Sequence, residues 1–201
     1  MNATDAFVLQ GRRADDASLD QVVRIGEARY ATQGLLRATL GSCVGIGLIW
    51  RERRRCALAH CLLPSGPLPG QGPVFDDDRD PRFSARYVDR TLPVLFRLLD
   101  IERGAHREIE AVLVGGASLA KLGRGAAGQI GRHNIDAAHE RLAAAGLRIA
   151  FEQVGGDKGW QVTIDATQLS FSAREIGEAR PAAQSLNSLR HEASHGHART
   201  R

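Results

Sequence analysis

Two neighbouring apolar runs constrain this chain more than any other feature. "TLGSCVGIGLIW" (39–50) and "CALAHCLLP" (56–64) are separated only by "RERRR" (51–55). Short apolar runs bounded by Gly, Pro and charged clusters read as β-strands. The first strand begins near Val44 and the second ends at Pro64. The basic segment between them is the turn of a β-hairpin, longer than the tightest turn types. Each run also carries side chains that packing does not require: Ser42 and Cys43 in the first, Cys56, His60 and Cys61 in the second.

Strand parity sorts these side chains. Cys43, Gly45, Gly47 and Ile49 share one face. Two glycines there leave the backbone bare beside the sulfur, as a closely approaching substrate requires. His60 shares its face with Cys56, Leu58 and Leu62, while Cys61 points the other way. If Gly45 pairs opposite His60, Cys43 and His60 are diagonal neighbours on one face. A slip of one residue puts them on opposite faces. A thiol hydrolase needs a thiolate, an imidazole within hydrogen-bond reach and an orienting group. The competing reading makes Cys43 a small buried hydrophobe and His60 a satisfied core histidine. Spacing alone leaves both open.

The rest of the chain supplies a framework for the hairpin. Residues 1–20 read as a flexible leader, 21–176 as one folded domain and 177–201 as a polar, disordered tail. "QVVRIGEARYA" (21–31) reads as a first strand. The segment 64–83, rich in Pro, Gly and Asp, is a connection of unusual length. Tyr87, Val88, Thr91, Leu92, Leu95, Phe96 and Leu99 have helical spacing, with Pro93 predicting a kink or break and Gly104 a stop. A strand at 109–114 ends in Gly115-Gly116, and "ASLAKLG" reads as a short helix. "RHNIDAAHERLAAAG" reads as a helix capped by Asn134 and stopped at Gly146. Strands follow at 147–154, 160–165 and 168–176. Strands first, then helices between further strands, give an α/β or α+β-like layered sandwich with a mixed sheet core flanked by helices.

Composition excludes several classes. The chain has 201 residues and three cysteines, too few for a disulfide framework. No apolar run is long enough to span a membrane and no signal-peptide pattern is present, so a cytoplasmic location is expected. The net charge of +4 comes almost wholly from Arg, with Lys only at 121 and 158. "RERRR" is suited to a phosphate or an acidic surface, but without an interleaved aromatic stripe it reads as a solvated turn, and no nucleic-acid partner is expected. Cys56 and Cys61 read as packing residues. No CxxC pair supports a zinc site built on Cys43, Cys56, His60 and Cys61, and the histidines of "HEASHGH" (191–197) read as tail. "GRGAAG" (123–128) matches GxGxxG without the strand-to-helix context of a dinucleotide site. "GGAS" (115–118) is a better functional turn, since paired glycines can turn backbone N–H groups towards a ligand.

Taken in order, "GE…TLGSCVGIGL…LAHCLLP…VLVGGASL…IGRHNIDAAHERLAAAGLRIAFEQVGGDKG" resembles the CheD family of chemoreceptor glutamine deamidases, over about residues 22–176. The resemblance implies a protein-glutamine glutaminase, an amidohydrolase that turns receptor glutamine side chains into glutamate in chemotaxis signalling. It implies Cys43 as nucleophile and His60 as base. The third member, a threonine upstream of the cysteine, falls nearest Thr39, with a short interval to Cys43 and with Ser42 as the alternative. Backbone groups near Ser42 and Cys43, or at Gly115 and Gly116, are the candidates for holding substrate or oxyanion. The implied fold is similar to that of bacterial toxin cysteine deamidases, with no cofactor and no metal. The implied partners are methyl-accepting chemotaxis receptors and, in some members, a CheC-type phosphatase. Some members also hydrolyse glutamyl methyl esters. The alternative function is a non-catalytic binding module that docks on receptors or modulates such a phosphatase. The chain departs from the family in its long, acidic 64–83 segment and in "GGDKGW", where Lys158 stands in for a basic residue closer to the glycines.

Overall fold

The computed structural model describes residues 20–67, 85–102, 104–118 and 126–176. Its elements are β1 (Asp20–Val22), β2 (Ala28–Ala31), β3 (Leu35–Leu40), β4 (Val44–Trp50), β5 (Arg55–Cys61), α1 (Val88–Leu99), β6 (Ile109–Gly115), α2 (Ala126–Ala144), β7 (Arg148–Val154), β8 (Trp160–Asp165) and β9 (Ser170–Glu175). A 3₁₀ turn at Ala105–Glu108 precedes β6. Two mixed sheets form, in the orders β1-β3-β8-β9 and β2-β5-β4-β6-β7. The parallel pairs are β1 with β3 and β6 with β7; the others are antiparallel.

The five-stranded sheet is the middle layer. One face packs Val44, Ile46, Leu48, Ala59 and Cys61 against Val88, Leu92 and Leu95 of α1 and Ile135, Ala138 and Leu142 of α2. The other packs Ile49, Cys56, Leu58, Val112 and Val114 against Leu36, Leu40, Val162 and Ile164 of the four-stranded sheet. Every residue of β4 and β6 is therefore buried. Strands covered on both faces read as continuous apolar runs rather than alternating ones, which is why the hairpin stands out in the sequence. Each fully buried Leu or Ile contributes about 1.5–3 kcal/mol relative to exposure.

The mixed α/β class is as expected, but the core is two sheets in place of one sheet flanked by helices: the two described helices cover one face of the five-stranded sheet and the four-stranded sheet covers the other. Several local expectations differ. The single strand over 21–31 is two, β1 and β2, which turn at Gly26 (φ 82) and enter different sheets. The β3 strand carries no signal strong enough to be read beforehand. Helix α1 runs through Pro93, which sits exposed in its interior. It stops at Asp100, in the left-handed region at φ 55, ahead of Gly104. Helix α2 begins at Ala126, so Asn134 lies inside it and is no N-cap. Gly146 (φ 67) does close it, its N–H reaching the Ala143 carbonyl at 2.9 Å. The short helix expected at "ASLAKLG" and most of the 64–83 segment lie outside the described residues.

The "RERRR" turn is a structural tie more than a solvated loop. Arg51 pairs with buried Glu110 at 2.9 Å and donates to the Leu169 carbonyl. Arg54 donates to the Thr167 carbonyl, and Arg55 to Asp100 and the Leu99 carbonyl. Arg53 lies over the Trp50 ring. The arginines thus tie the far end of the hairpin to both flanking layers.

Candidate active site

The hairpin pairs Gly45 with His60 and Val44 with Cys61. This is the register in which Cys43, just ahead of β4, is the diagonal neighbour of His60 on the inter-sheet face. Both side chains are buried, at 7% and 3% exposure. Cys61, on the opposite face, is enclosed by the helices, with Sγ 3.1 Å from Thr91 Oγ1.

The His60 ring is held through Nδ1. Its Nδ1 lies 3.2 Å from the Val23 carbonyl. A carbonyl only accepts, so Nδ1 carries the proton and Nε2 of the neutral ring carries the lone pair. Nε2 is buried and has no partner among the described residues. Burial lowers the His60 pKa, opposed by the Val23 carbonyl and by the charge of Glu27. Burial also raises the Cys43 pKa, opposed by its own backbone N–H. The resting pair is thus a neutral thiol and a neutral imidazole, not yet bonded to each other. Catalytic hydrogen bonds of this kind commonly tighten only when substrate is bound.

The backbone around Cys43 is clamped by its carbonyls. Ala117 N–H donates to the Gly41 carbonyl at 2.8 Å and Gly116 N–H to the Cys43 carbonyl at 2.7 Å. Asn134 Nδ2 donates to the Ser42 carbonyl at 2.9 Å and to the Leu62 carbonyl at 3.0 Å. In a trans peptide the C=O and the following N–H point in opposite directions. Holding the Gly41 and Ser42 carbonyls towards the "GGAS" turn and α2 therefore turns the Ser42 and Cys43 N–H groups the other way. Among the described residues neither N–H has a backbone acceptor, and the Cys43 N–H faces its own sulfur.

Glycines permit this clamp. A side chain at Gly115 (φ 109) would run into the Cys43 carbonyl, and one at Gly116 (φ 70) into Ile135 and the Gly131 carbonyl. A side chain at Gly131 would meet the Gly116 carbonyl at 2.5 Å, so α2 lies directly on the turn. Gly116 is thereby committed as a donor to Cys43, leaving the Ser42–Cys43 segment as the donor-bearing one. Gly45 and Gly47 serve packing in place of substrate approach. A Cβ at Gly45 would meet Leu40 Cδ1 at 3.0 Å, and one at Gly47 would meet Ile164 Cδ1 at 2.6 Å. The facing sheet fills the space that the sequence reading gave to substrate.

Thr39 is not brought to His60. It is exposed on β3, paired with Gln161, while Ala38 and Leu40 turn inward. Ser42 does not reach Nδ1 either; the Val23 carbonyl holds that position. Lys158 pairs with Glu175 at 2.9 Å. Cys56 and Cys61 are fully buried, and burial pushes each pKa to about 12. Among the described residues no three His, Cys, Asp or Glu side chains are grouped to hold a metal. No described helix is long and apolar enough to cross a membrane. The sequence reading missed the roles of Asn134 and of the Val23–Glu27 turn, although "IGRHN" and "GE" both stand in the ordered pattern that carries the resemblance.

A buried thiol, an imidazole with an unpartnered Nε2 and a donor-bearing turn are the parts of a site for acyl transfer through a thioester. The family model for CheD chemotactic sensory transduction matches residues 68–175, which hold β6, the "GGAS" turn, α2 and the last strands. A Ruegeria protein named probable chemoreceptor glutamine deamidase CheD 2 is 31% identical over 162 residues, covering 77% of this chain and 90% of the relative. A Bdellovibrio bacteriovorus protein named probable chemoreceptor glutamine deamidase CheD is 34% identical, covering 71% of this chain and 86% of the relative. One of the same name from Natronomonas pharaonis is 34% identical, covering 72% of this chain and 81% of the relative. The chain belongs to the CheD family.

Proposed function

We propose that this protein deamidates glutamine side chains of methyl-accepting chemotaxis receptors, with Cys43 as nucleophile and His60 as base. Family membership supports the reaction and substrate class. The observation that supports the mechanism is the register of Gly45 against His60, which makes Cys43 and His60 diagonal neighbours, together with a buried Nε2 that has no partner among the described residues.

The thiol proton passes to His60 Nε2 as sulfur attacks the carboxamide carbon. The Ser42 and Cys43 N–H groups receive the developing oxyanion; preorganised donors act strongly because they need no reorientation during the reaction. The imidazolium then gives its proton to the leaving nitrogen, and ammonia departs from the tetrahedral adduct as its C–N bond breaks, leaving the thioester. Water, deprotonated by the same ring, attacks the thioester carbon, and the restored thiol leaves glutamate on the receptor. General acid–base help of this kind contributes about 10²–10⁴-fold. The product places a new negative charge on a receptor helix, which changes its pairing with neighbouring charges.

The same proposal assigns residues 21–176 as the deamidase unit, a cytoplasmic setting, kinship of the sandwich with the bacterial toxin deamidases, and a CheC-type phosphatase as a further partner. The test is intact-mass measurement of a receptor cytoplasmic domain co-expressed with the wild-type chain or with Cys43→Ala. The expected result is a mass gain matching amide-to-acid conversion with the wild-type chain alone. Equal conversion with Cys43→Ala sinks the mechanism, and no conversion with either sinks the function.

A further inference from the structure

We infer that Glu27 is a positioning residue for His60, acting on the ring through the Val23–Arg24 peptide group. The two ends of that peptide are both engaged. Its carbonyl accepts from His60 Nδ1 at 3.2 Å, and its N–H, on Arg24, donates to Glu27 Oε2 at 3.2 Å. The chain of contacts therefore runs imidazole, peptide, carboxylate. A carboxylate at the N–H end polarises the amide and makes its oxygen a better acceptor, as linked hydrogen bonds strengthen one another in a low-dielectric interior. The group at the oxygen end is the one that becomes an imidazolium when the thiol gives up its proton.

The fold builds this link deliberately tightly. His60 N–H donates to the Glu27 carbonyl and Gly26 N–H donates to the His60 carbonyl, so the turn and the base are locked backbone to backbone. With Ala28 paired to Ala59, Glu27 stands opposite His60 and on the same side of the sheet. Glu27 is 4% exposed, which is rare for a carboxylate without a partner. Its partner is Arg29, at 3.3 Å, whose side chain is partly exposed. Among the described residues, the charged and titratable groups near the ring are Arg24, Glu27 and Arg29 from the β1–β2 segment and Cys43 from the β3–β4 turn. Glu27 is the acidic member of that set, and Arg29 moderates its field.

The place that a triad gives to a side chain is thus taken by a peptide bond with a carboxylate behind it. Thr39, turned outward by the parity of β3, takes no part in it. The opposing possibility is that Glu27 only closes the 24–27 turn, where its own N–H also bonds the Arg24 carbonyl at 3.0 Å. Glu27→Gln separates the two, since an amide oxygen still accepts from Arg24 N–H while the charge is gone. Arg29→Gln has the opposite effect and leaves the carboxylate unneutralised.

The inference rests on the deamidase reading, but its first readout does not need activity. Titration of the His60 ring is followed by NMR in the full chain, with its signal assigned by loss in His60→Gln. Relative to wild type, Glu27→Gln is expected to lower the midpoint, as for loss of an opposite charge near an ionisable group. Arg29→Gln is expected to raise it. In receptor deamidation, the acid limb of kcat/KM moves with the titration, and Glu27→Gln loses about tenfold in kcat. Equal midpoints in all three proteins overturn the proposal. If Glu27→Gln does not fold, the upward shift in Arg29→Gln decides alone. Shifted midpoints with no deamidation by the wild-type chain remove the deamidase reading and keep the Glu27–His60 link.

Discussion

The two faces of the β4–β5 hairpin use the same strands for opposite purposes. Towards the helices stand Val44, Ile46, Leu48, Ala59 and Cys61, closed by α1 and α2. Towards the second sheet stand Cys43, Gly45, Gly47, Leu58 and His60. The helix-side face holds one buried thiol, Cys61, and the inter-sheet face two, Cys43 and Cys56, but of these only Cys43 lies diagonal to His60. Cys61 meets the Thr91 hydroxyl, a weak partner with its own bond to the Tyr87 carbonyl at 2.8 Å. Cys43 sits beside a turn whose carbonyls are all held from behind and whose N–H groups face forward. Burial alone therefore does not make a thiol inert or reactive. The groups arranged around it decide, and one residue of parity decides which groups those are.

Exchanging the two thiols separately gives the largest contrast. Cys43→Ala should lose at least about 10⁴-fold in receptor deamidation, as for removal of a catalytic nucleophile. Cys61→Ala should keep wild-type turnover and lose about 1 kcal/mol of stability, read by thermal unfolding. Comparable activity losses in both would erase the distinction between the faces.

Asn134 sharpens the comparison from outside the hairpin. Asn134→Ala should lower kcat by about 10²-fold with little change in KM, because the Ser42–Cys43 donors lose their fixed direction. Alkylation of Cys43 by iodoacetamide, which builds no oxyanion, should stay close to wild type in the same protein. A matching fall in alkylation would make Asn134 a general prop of the turn.

Gly47→Ala tests the packing role of the chemical face. The added methyl group meets Ile164 across the sheets, and overpacking of this kind costs about 1–3 kcal/mol, read as a lower Tm. An unchanged Tm would restore the reading in which that glycine leaves space for substrate.

The smallest effects are in pH. With Cys43 raised and His60 lowered by burial, alkylation of Cys43 should keep rising with pH beyond the ordinary thiol range, with no plateau near neutrality. For stability the sign follows from which state takes the proton. The folded His60 binds it less readily than the unfolded one, so folding weakens as pH falls below about 6.5. His60→Gln should flatten that limb of the Tm profile, and an unchanged limb would place the acid sensitivity elsewhere.

Much of the fold was legible because its central strands are buried on both faces. Continuous apolar runs announced β4, β5 and β6, and the Asn, Gly and Asp punctuation marked the later strands to within a residue or two. Short or half-exposed strands announced little: β1 and β2 merged into one expected strand, and β3, with Arg37 and Thr39 facing outward, was not read at all. Asn134 was misread because a polar residue before an apolar stripe has the form of a cap, whereas its amide is used across the fold on Ser42 and Leu62.

Sequence by itself determined the chemistry available: a thiol and an imidazole on neighbouring strands, glycines at the turn, and a family pattern that names a reaction. Only the tertiary structure decided the register that makes Cys43 and His60 neighbours, and that gave Nδ1 a peptide carbonyl in place of Thr39. The physical reason is that parity is local, while register and hydrogen-bond direction are set by whichever distant segments pack alongside, here β2, the "GGAS" turn and α2.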